Sequence, residues 1–112
     1  MYTNLPIFKK AMELNVYLET IIKNFSRYHK YSIGTELRDK SREILYAIYK
    51  VYFTQNKKDA ISNIRDSAEE LKIIIYLANE LKAFRSLRQF EISSKLSFEI
   101  SKQSQGWLKS SK

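Results

Sequence analysis

Four consecutive segments with helical periodicity fill almost all of the 112 residues of this chain. In each segment, apolar residues recur at steps of three and four, which places them on one face of a helix. The predicted helices span about residues 5–25, 33–55, 59–83 and 87–109. Because the connections between them are short, consecutive helices are expected to lie antiparallel. The sequence therefore predicts one all-α domain over residues 1–112, an antiparallel up-down-up-down four-helix bundle.

Each predicted helix has a stripe of residues that we expect to form the core. The first three stripes are Ile7, Ala11, Leu14, Leu18, Ile21 and Phe25; Leu37, Ser41, Ile44, Ile48 and Val51; and Ile61, Ile64, Ala68, Leu71, Ile75 and Ala78. The fourth is Ile92, Leu96, Ile100 and Trp107, with Gln103 interrupting one turn.

Residues with capping preferences mark where three of these helices begin. Asn4 is placed to cap the first helix, because Pro6 is tolerated in a first turn. Ser32 is placed to cap the second helix. Ser86 is followed three residues later by Gln89, a capping-box pattern that predicts the start of the fourth helix.

The composition excludes several classes of chemistry. The chain has no cysteine and one histidine, His29, which we expect at the surface. A thiolate zinc site, a cysteine nucleophile and the paired Glu-x-x-His ligands of carboxylate-bridged metal bundles are therefore excluded. The sequence also lacks a glycine-rich phosphate-binding loop. We expect a non-enzymatic protein with no catalytic residue, metal site or cofactor, and a hydrolase or metal enzyme is the least favoured alternative.

The sequence also bears on location. No apolar run approaches the roughly 18 residues that a membrane-spanning helix needs. The first eight residues lack the basic and apolar regions of a signal peptide, and the absence of cysteine fits a reducing compartment. We expect a cytoplasmic protein with no membrane partner.

The formal net charge of +8 favours a polyanionic partner, with nucleic acid as the first candidate. The alternative is that the charge serves only solubility. Positive charge is concentrated in two connections and in the last helix. The predicted nucleic-acid-binding residues are Arg27, Lys30, Arg85, Arg88, Lys95, Lys102 and Lys109.

Two patterns support this set, and one pattern competes with it. Four of the cations recur every seven residues, so they share one face of the last helix and could follow the phosphates of a nucleic acid. Between residues 27 and 31, cations alternate with tyrosines, and such rings can stack on unpaired bases. The competing interpretation is that Glu91 and Glu99 pair with the cations of the last helix.

Two helices have apolar or small residues beyond those that one core needs. Residues in the second helix form another apolar stripe roughly opposite its core stripe, and serines bordered by rings follow one flank of the fourth helix. The alternative for that flank is a solvated polar face. The predicted oligomer interface is Tyr46, Tyr49, Phe53, Phe90, Ser94, Ser97, Phe98 and Ser101.

Four segments carry residue identities beyond the helical periodicity, namely Leu5-Pro6-Ile7-Phe8-Lys9-Lys10-Ala11, the turn from Arg27 to Gly34, Leu77-Ala78-Asn79-Glu80-Leu81 and Gly106-Trp107-Leu108-Lys109-Ser110. Together these segments resemble the Avd-like family of four-helix bundles, the accessory variability determinants of diversity-generating retroelements. The resemblance implies a ring-like homopentamer that binds a retroelement reverse transcriptase and its template RNA, or an RNA/DNA hybrid. Such a protein supports mutagenic cDNA synthesis without catalysing it.

A sister branch is encoded in intervening sequences of large-subunit ribosomal RNA genes and has the same fold. Its members typically have a Ser-Asn-Ile-Ala-Glu-Gly-like segment in the second helix, where this chain has Ala47-Ile48-Tyr49-Lys50. That difference favours the Avd branch. A protein-only adaptor remains the other alternative, because the positive charge could serve an acidic protein partner.

Overall fold

The structure is a computed structural model that describes residues 1–111. Within this range the secondary structure is entirely helical. The 3-10 turn Tyr2–Asn4 is followed by α1 (Pro6–Ile22), α2 (Arg27–Lys30), α3 (Ile33–Val51), α4 (Lys57–Glu80) and α5 (Leu87–Ser110). The last residue of the predicted domain, Lys112, lies outside the described residues.

The four long helices surround one hydrophobic core. Both α1 and α4 pack against α3 and α5, and the molecule measures 44 × 21 × 20 Å. The predicted core stripes of the first three long helices are buried throughout. These findings confirm an all-α fold with four long helices, compatible with a helical bundle.

The buried face of α5 differs from its prediction. Leu96 and Ile100 are buried as expected, but Ile92, Gln103 and Trp107 are only half-buried. Most of the buried face consists instead of serines, namely Ser93, Ser97, Ser101 and Ser104. Small side chains at these positions let α5 approach its neighbours closely, so hydropathy alone misplaces the inward face of this helix.

One of the three predicted helix caps is displaced in the structure. Asn4 lies in the 3-10 turn, and Leu5 occupies the cap position of α1 without a side-chain hydrogen bond. Ser32 occupies the N-cap position of α3 as predicted, but its hydroxyl donates to the carbonyl oxygen of Tyr28 at 2.7 Å and makes no hydrogen bond to the helix that it caps. The predicted Ser86 cap is confirmed, since its Oγ accepts from the backbone N–H of Gln89 at 3.2 Å.

The first three predicted helices end earlier than the sequence pattern predicts. The first ends at Ile22, three residues early, because the backbone N–H groups of Asn24 and Phe25 bond to carbonyls three residues back. The third predicted helix ends at Glu80, where Lys82 takes up a left-handed conformation with φ of 60°. This residue closes a Schellman-type turn that satisfies the last carbonyls of α4.

Candidate nucleic-acid interface

The outer face of α5 has a straight row of cations. Arg88, Lys95, Lys102 and Lys109, here called the basic row, are all exposed and lie opposite the buried face of the helix. Seven residues of helix advance about 10.5 Å, so the row is roughly 31 Å long. The structure therefore brings these four predicted residues together as one surface.

The basic row is not neutralised by its own helix. Among the ion pairs within residues 1–111, none includes a cation of the row. The competing pairs with Glu91 and Glu99 are therefore not formed. The remaining predicted cations, Arg27, Lys30 and Arg85, are likewise outside these ion pairs.

Two arginines of α3 are paired with a carboxylate of α1. Between α1 and α3, Glu19 accepts from Arg38 Nε and from Arg42 Nη2, each at 2.6 Å. Burial raises the pKa of the Glu19 carboxyl, but the hydrogen bonds and charges of the two arginines outweigh burial, so its pKa lies below the ordinary value. Glu19 thus compensates two charges far from the basic row.

A second ion-pair network joins α3 to α4. Lys40 Nζ lies 3.1 Å from Glu43 and 3.6 Å from Glu70, and the Ser67 hydroxyl donates to Glu43 at 2.8 Å. Hydrogen bonds from Lys40 and Ser67 lower the pKa of the Glu43 carboxyl. Burial lowers the pKa of Lys40, but the two carboxylates outweigh it and raise the pKa above its ordinary value. The acidic side chains of this network therefore compensate Lys40 rather than the cations of α5.

Packing of α4 against α5 adds a cation that sequence reasoning missed. A groove of about 690 Å³ is lined by Arg65, Lys102, Gln105, Gly106, Leu108 and Lys109. Arg65 pairs with the neighbouring Asp66 at 3.1 Å. Since Arg65 belongs to the most acidic helix, no pattern in its own segment links it to the basic row.

A second basic surface lies in the connection between α1 and α3. A groove of about 430 Å³, here called the tyrosine groove, is lined by Phe25, Arg27, Lys30 and Tyr31. Tyr31 is 71% exposed, and Tyr28, which follows Arg27 in the chain but does not line the groove, is 77% exposed. Cations and accessible rings therefore meet at the position that the sequence indicated.

Local contacts fix the shape of this connection. Ser26 Oγ accepts from the backbone N–H of His29 and caps the short helix α2. A Cβ added to Gly34 would lie 2.9 Å from the carbonyl oxygen of His29 and 3.0 Å from Ile22 Cγ2, so only glycine lets α3 approach this closely. His29 is half-buried rather than at the surface, and its Nδ1 has no hydrogen-bond partner among the described residues.

An aromatic contact brings the remaining predicted cation to the same region. The rings of Phe25 and Phe84 meet edge to face with centroids 5.8 Å apart. Because Phe84 directly precedes Arg85, the contact joins the connection before α5 to the tyrosine groove. Arg85 and Arg88 therefore lie at the start of the same helix that has the basic row.

The predicted oligomer interface divides into exposed and buried residues. Tyr46, Tyr49, Phe53 and Phe98 are exposed, although Tyr49 also contacts the rings of Tyr2 and Phe53. Phe90 and Ser94 are half-buried.

The prediction needs correction at Ser97 and Ser101, which are 1% and 2% exposed. Another helix does pack on this serine flank, but it belongs to the same chain. The Ser101 hydroxyl donates to Glu69 of α4. Hydrogen bonds from Ser101 and Lys72 lower the pKa of the Glu69 carboxyl. These serines therefore stabilise the contact between α4 and α5.

An exposed apolar surface on α4 was also missed. Ile73, Tyr76 and Leu77 are exposed on the helix whose core stripe is otherwise regular. The signal was present in the sequence, since the run from residue 73 to residue 77 is apolar throughout and one helix face cannot hold five consecutive residues.

Within residues 1–111, no group of three or more acidic or histidine side chains is placed to hold a metal ion. In the same range, no helix combines the length and apolar character needed to cross a membrane.

No protein-family model and no curated protein matches this chain.

Proposed function

We propose that this protein is a non-enzymatic scaffold that binds RNA through the cations of α5 and of the tyrosine groove. The basic row is the observation that supports the proposal most strongly. Its four cations are exposed, aligned and outside the ion pairs of residues 1–111. Such a row can replace the counterions of a phosphate backbone, which is the main source of affinity for nucleic acids.

The alternative is a protein-only adaptor with an acidic partner. The alignment of the basic row favours nucleic acid, because phosphates recur regularly along a strand. Rings beside cations in the tyrosine groove also favour RNA, since unpaired bases can stack on them. Retention of an acidic protein without binding of RNA would support the adaptor instead.

The resemblance to the Avd-like family extends the proposal to a specific partner. We propose that the protein binds a retroelement reverse transcriptase together with its template RNA and supports mutagenic cDNA synthesis. The test is reconstitution of the reverse transcriptase with its template RNA, with and without this protein. Template-dependent cDNA made only in its presence would support the role, whereas unchanged synthesis would overturn it. Association with a ribosomal RNA intervening sequence would favour the sister branch.

We further infer that consecutive long helices run antiparallel in an up-down-up-down bundle. Contacts between α1 and α3 support this inference, since Asn15 Nδ2 donates to Ser41 Oγ at 3.0 Å while Glu19 contacts Arg38. Residue numbers thus rise along one helix as they fall along the other. The pairs Lys40–Glu70 and Glu43–Ser67 follow the same order between α3 and α4.

Self-association is part of the proposal. The exposed aromatic residues of α3 and the exposed apolar surface of α4 favour contacts with further copies, because large apolar patches usually mark interaction surfaces. The family resemblance implies five subunits. In that arrangement the basic rows of several copies would act together on one RNA, which increases affinity by multivalency.

A further inference from the structure

The two basic surfaces of the chain differ in aromatic content. On α5 the exposed ring is Phe98, and it faces α4, where Lys72 Nζ lies 5.5 Å from the ring centroid. Phe98 lies three residues after Lys95 and four before Lys102, so the basic row includes this ring, and Lys72 lies over it. By contrast, Tyr31 lines the tyrosine groove with Arg27 and Lys30, Tyr28 lies between those two cations in the chain, and both rings present most of their surface to solvent.

The difference in aromatic content indicates which form of nucleic acid suits each surface. Bases in a duplex are stacked on one another, so a duplex offers phosphates to a protein but few base faces. Unpaired nucleotides offer both phosphates and base faces, and aromatic side chains stack on them. The basic row thus suits a duplex, and the tyrosine groove suits unpaired nucleotides.

The two surfaces are also connected. Arg88 begins the basic row, and Arg85 precedes it by one helical turn. Phe84, adjacent to Arg85, packs against Phe25, which lines the tyrosine groove. A single nucleic acid can therefore pass from one surface to the other.

We propose that the protein recognises the junction between a duplex and an unpaired strand, with the duplex along the basic row and the unpaired nucleotides on Tyr28 and Tyr31. The inference rests on the proposed RNA-binding function and adds the form of RNA that is bound. It predicts that both parts of the junction contribute to affinity in one complex.

Fluorescence anisotropy with three RNA probes tests this inference at constant salt. The first is a duplex of about ten base pairs with a single-stranded overhang of about six nucleotides. The second is a blunt duplex with the same number of phosphates, and the third is a single strand of equal charge. We expect the overhang probe to bind at least about tenfold more tightly than the other two, because its parts bind jointly.

Substitutions then locate the effect. Tyr28→Ala with Tyr31→Ala should weaken the overhang probe about tenfold and leave the blunt duplex unchanged, since stacking is lost. Tyr52→Ala is the matched control, because Tyr52 is an exposed ring directly after α3, at the opposite end of that helix from the tyrosine groove. Circular dichroism of each variant checks that the helices remain folded.

The outcomes separate the two proposals. Equal affinity for the overhang probe and the blunt duplex of equal charge overturns the junction inference and leaves RNA binding intact. The same holds if the tyrosine variant weakens all probes equally. If none of the three probes binds, both the proposed function and the junction inference are overturned.

Discussion

Phe25 and Phe84 meet edge to face at a centroid distance of 5.8 Å and join two connections that are distant in the sequence. Phe84 also packs against Phe90 at 6.1 Å. This small aromatic cluster holds the connection before α5 against the tyrosine groove. The relative position of the two basic surfaces therefore depends on buried rings rather than on charge.

Phe84→Ala should lower the free energy of unfolding by about 3 kcal/mol, because a buried ring is replaced by a cavity. Urea unfolding measures the change. Phe98→Ala is the matched control, since Phe98 is 57% exposed and Phe84 only 9%. Equal effects of the two substitutions would show that the Phe84 cluster does not stabilise the fold.

The two glycines should respond in opposite directions to alanine. Gly34→Ala should destabilise the protein by about 1–3 kcal/mol, because the new methyl group would collide with the backbone carbonyl of His29. Gly106→Ala should stabilise it by about 0.5–1 kcal/mol, since Gly106 lies within α5 and the added group would meet no atom within 4 Å beyond its own stretch of helix. Thermal unfolding of both variants checks this; stabilisation by Gly34→Ala would contradict the close approach of α3.

Because of Glu19, the free energy of unfolding should fall as the pH is lowered. Its folded-state pKa lies below the ordinary value, so its contribution is complete at neutral pH and is lost as the pH falls below about 4.3. Glu19→Gln should lower the free energy of unfolding by about 1 kcal/mol at pH 7, because solvent screening limits the contribution of the two ion pairs. The loss should be smaller near pH 3.

Urea unfolding across this pH range measures the effect of Glu19. Glu13→Gln serves as control, because its pair with Lys10 is longer, at 3.5 Å, and more exposed. A cost of Glu19→Gln that stays constant from pH 7 to pH 3 would exclude the ion-pair explanation.

Self-association should depend on the aromatic face of α3. Tyr46→Ser with Phe53→Ser should lower the molar mass measured by light scattering towards that of one chain, because both rings are exposed in the monomer. Thr35→Ser, a small change on the same helix, should leave the mass unchanged. A wild-type protein that is monomeric at all concentrations would refute the oligomer proposal.

The sequence predicted three core stripes completely because leucine, isoleucine and alanine recur there at helical spacing. It failed on α5, where Ser97 and Ser101 face inward. A serine against a closely packed helix and a serine in water have the same hydropathy, and only tertiary packing distinguishes them. Asn4 instead lies in a 3-10 turn, and Ser32 holds the predicted cap position while its hydroxyl bonds to the Tyr28 carbonyl, a local choice that capping preference does not specify.

The sequence predicted only the part of the candidate site that lies on a single helix, α5. The seven-residue spacing placed Arg88, Lys95, Lys102 and Lys109 on one face. Whether Glu91 and Glu99 neutralise that face depends on side-chain conformations, which spacing does not specify. The addition of Arg65 depends on how α4 packs against α5, so no local pattern could predict it.

The salt dependence of RNA binding tests the central claim most directly. We expect the logarithm of the association constant to fall linearly with the logarithm of salt concentration, and Arg88→Gln with Lys95→Gln and Lys102→Gln to reduce the slope by about 2–3. The control removes three exposed cations from α1, α3 and α4, by Lys9→Gln, Lys50→Gln and Lys58→Gln, with the same loss of net charge. A smaller change in the control supports binding through the basic row. Equal slopes for the two triple variants, or salt-independent binding by the wild type, would contradict it.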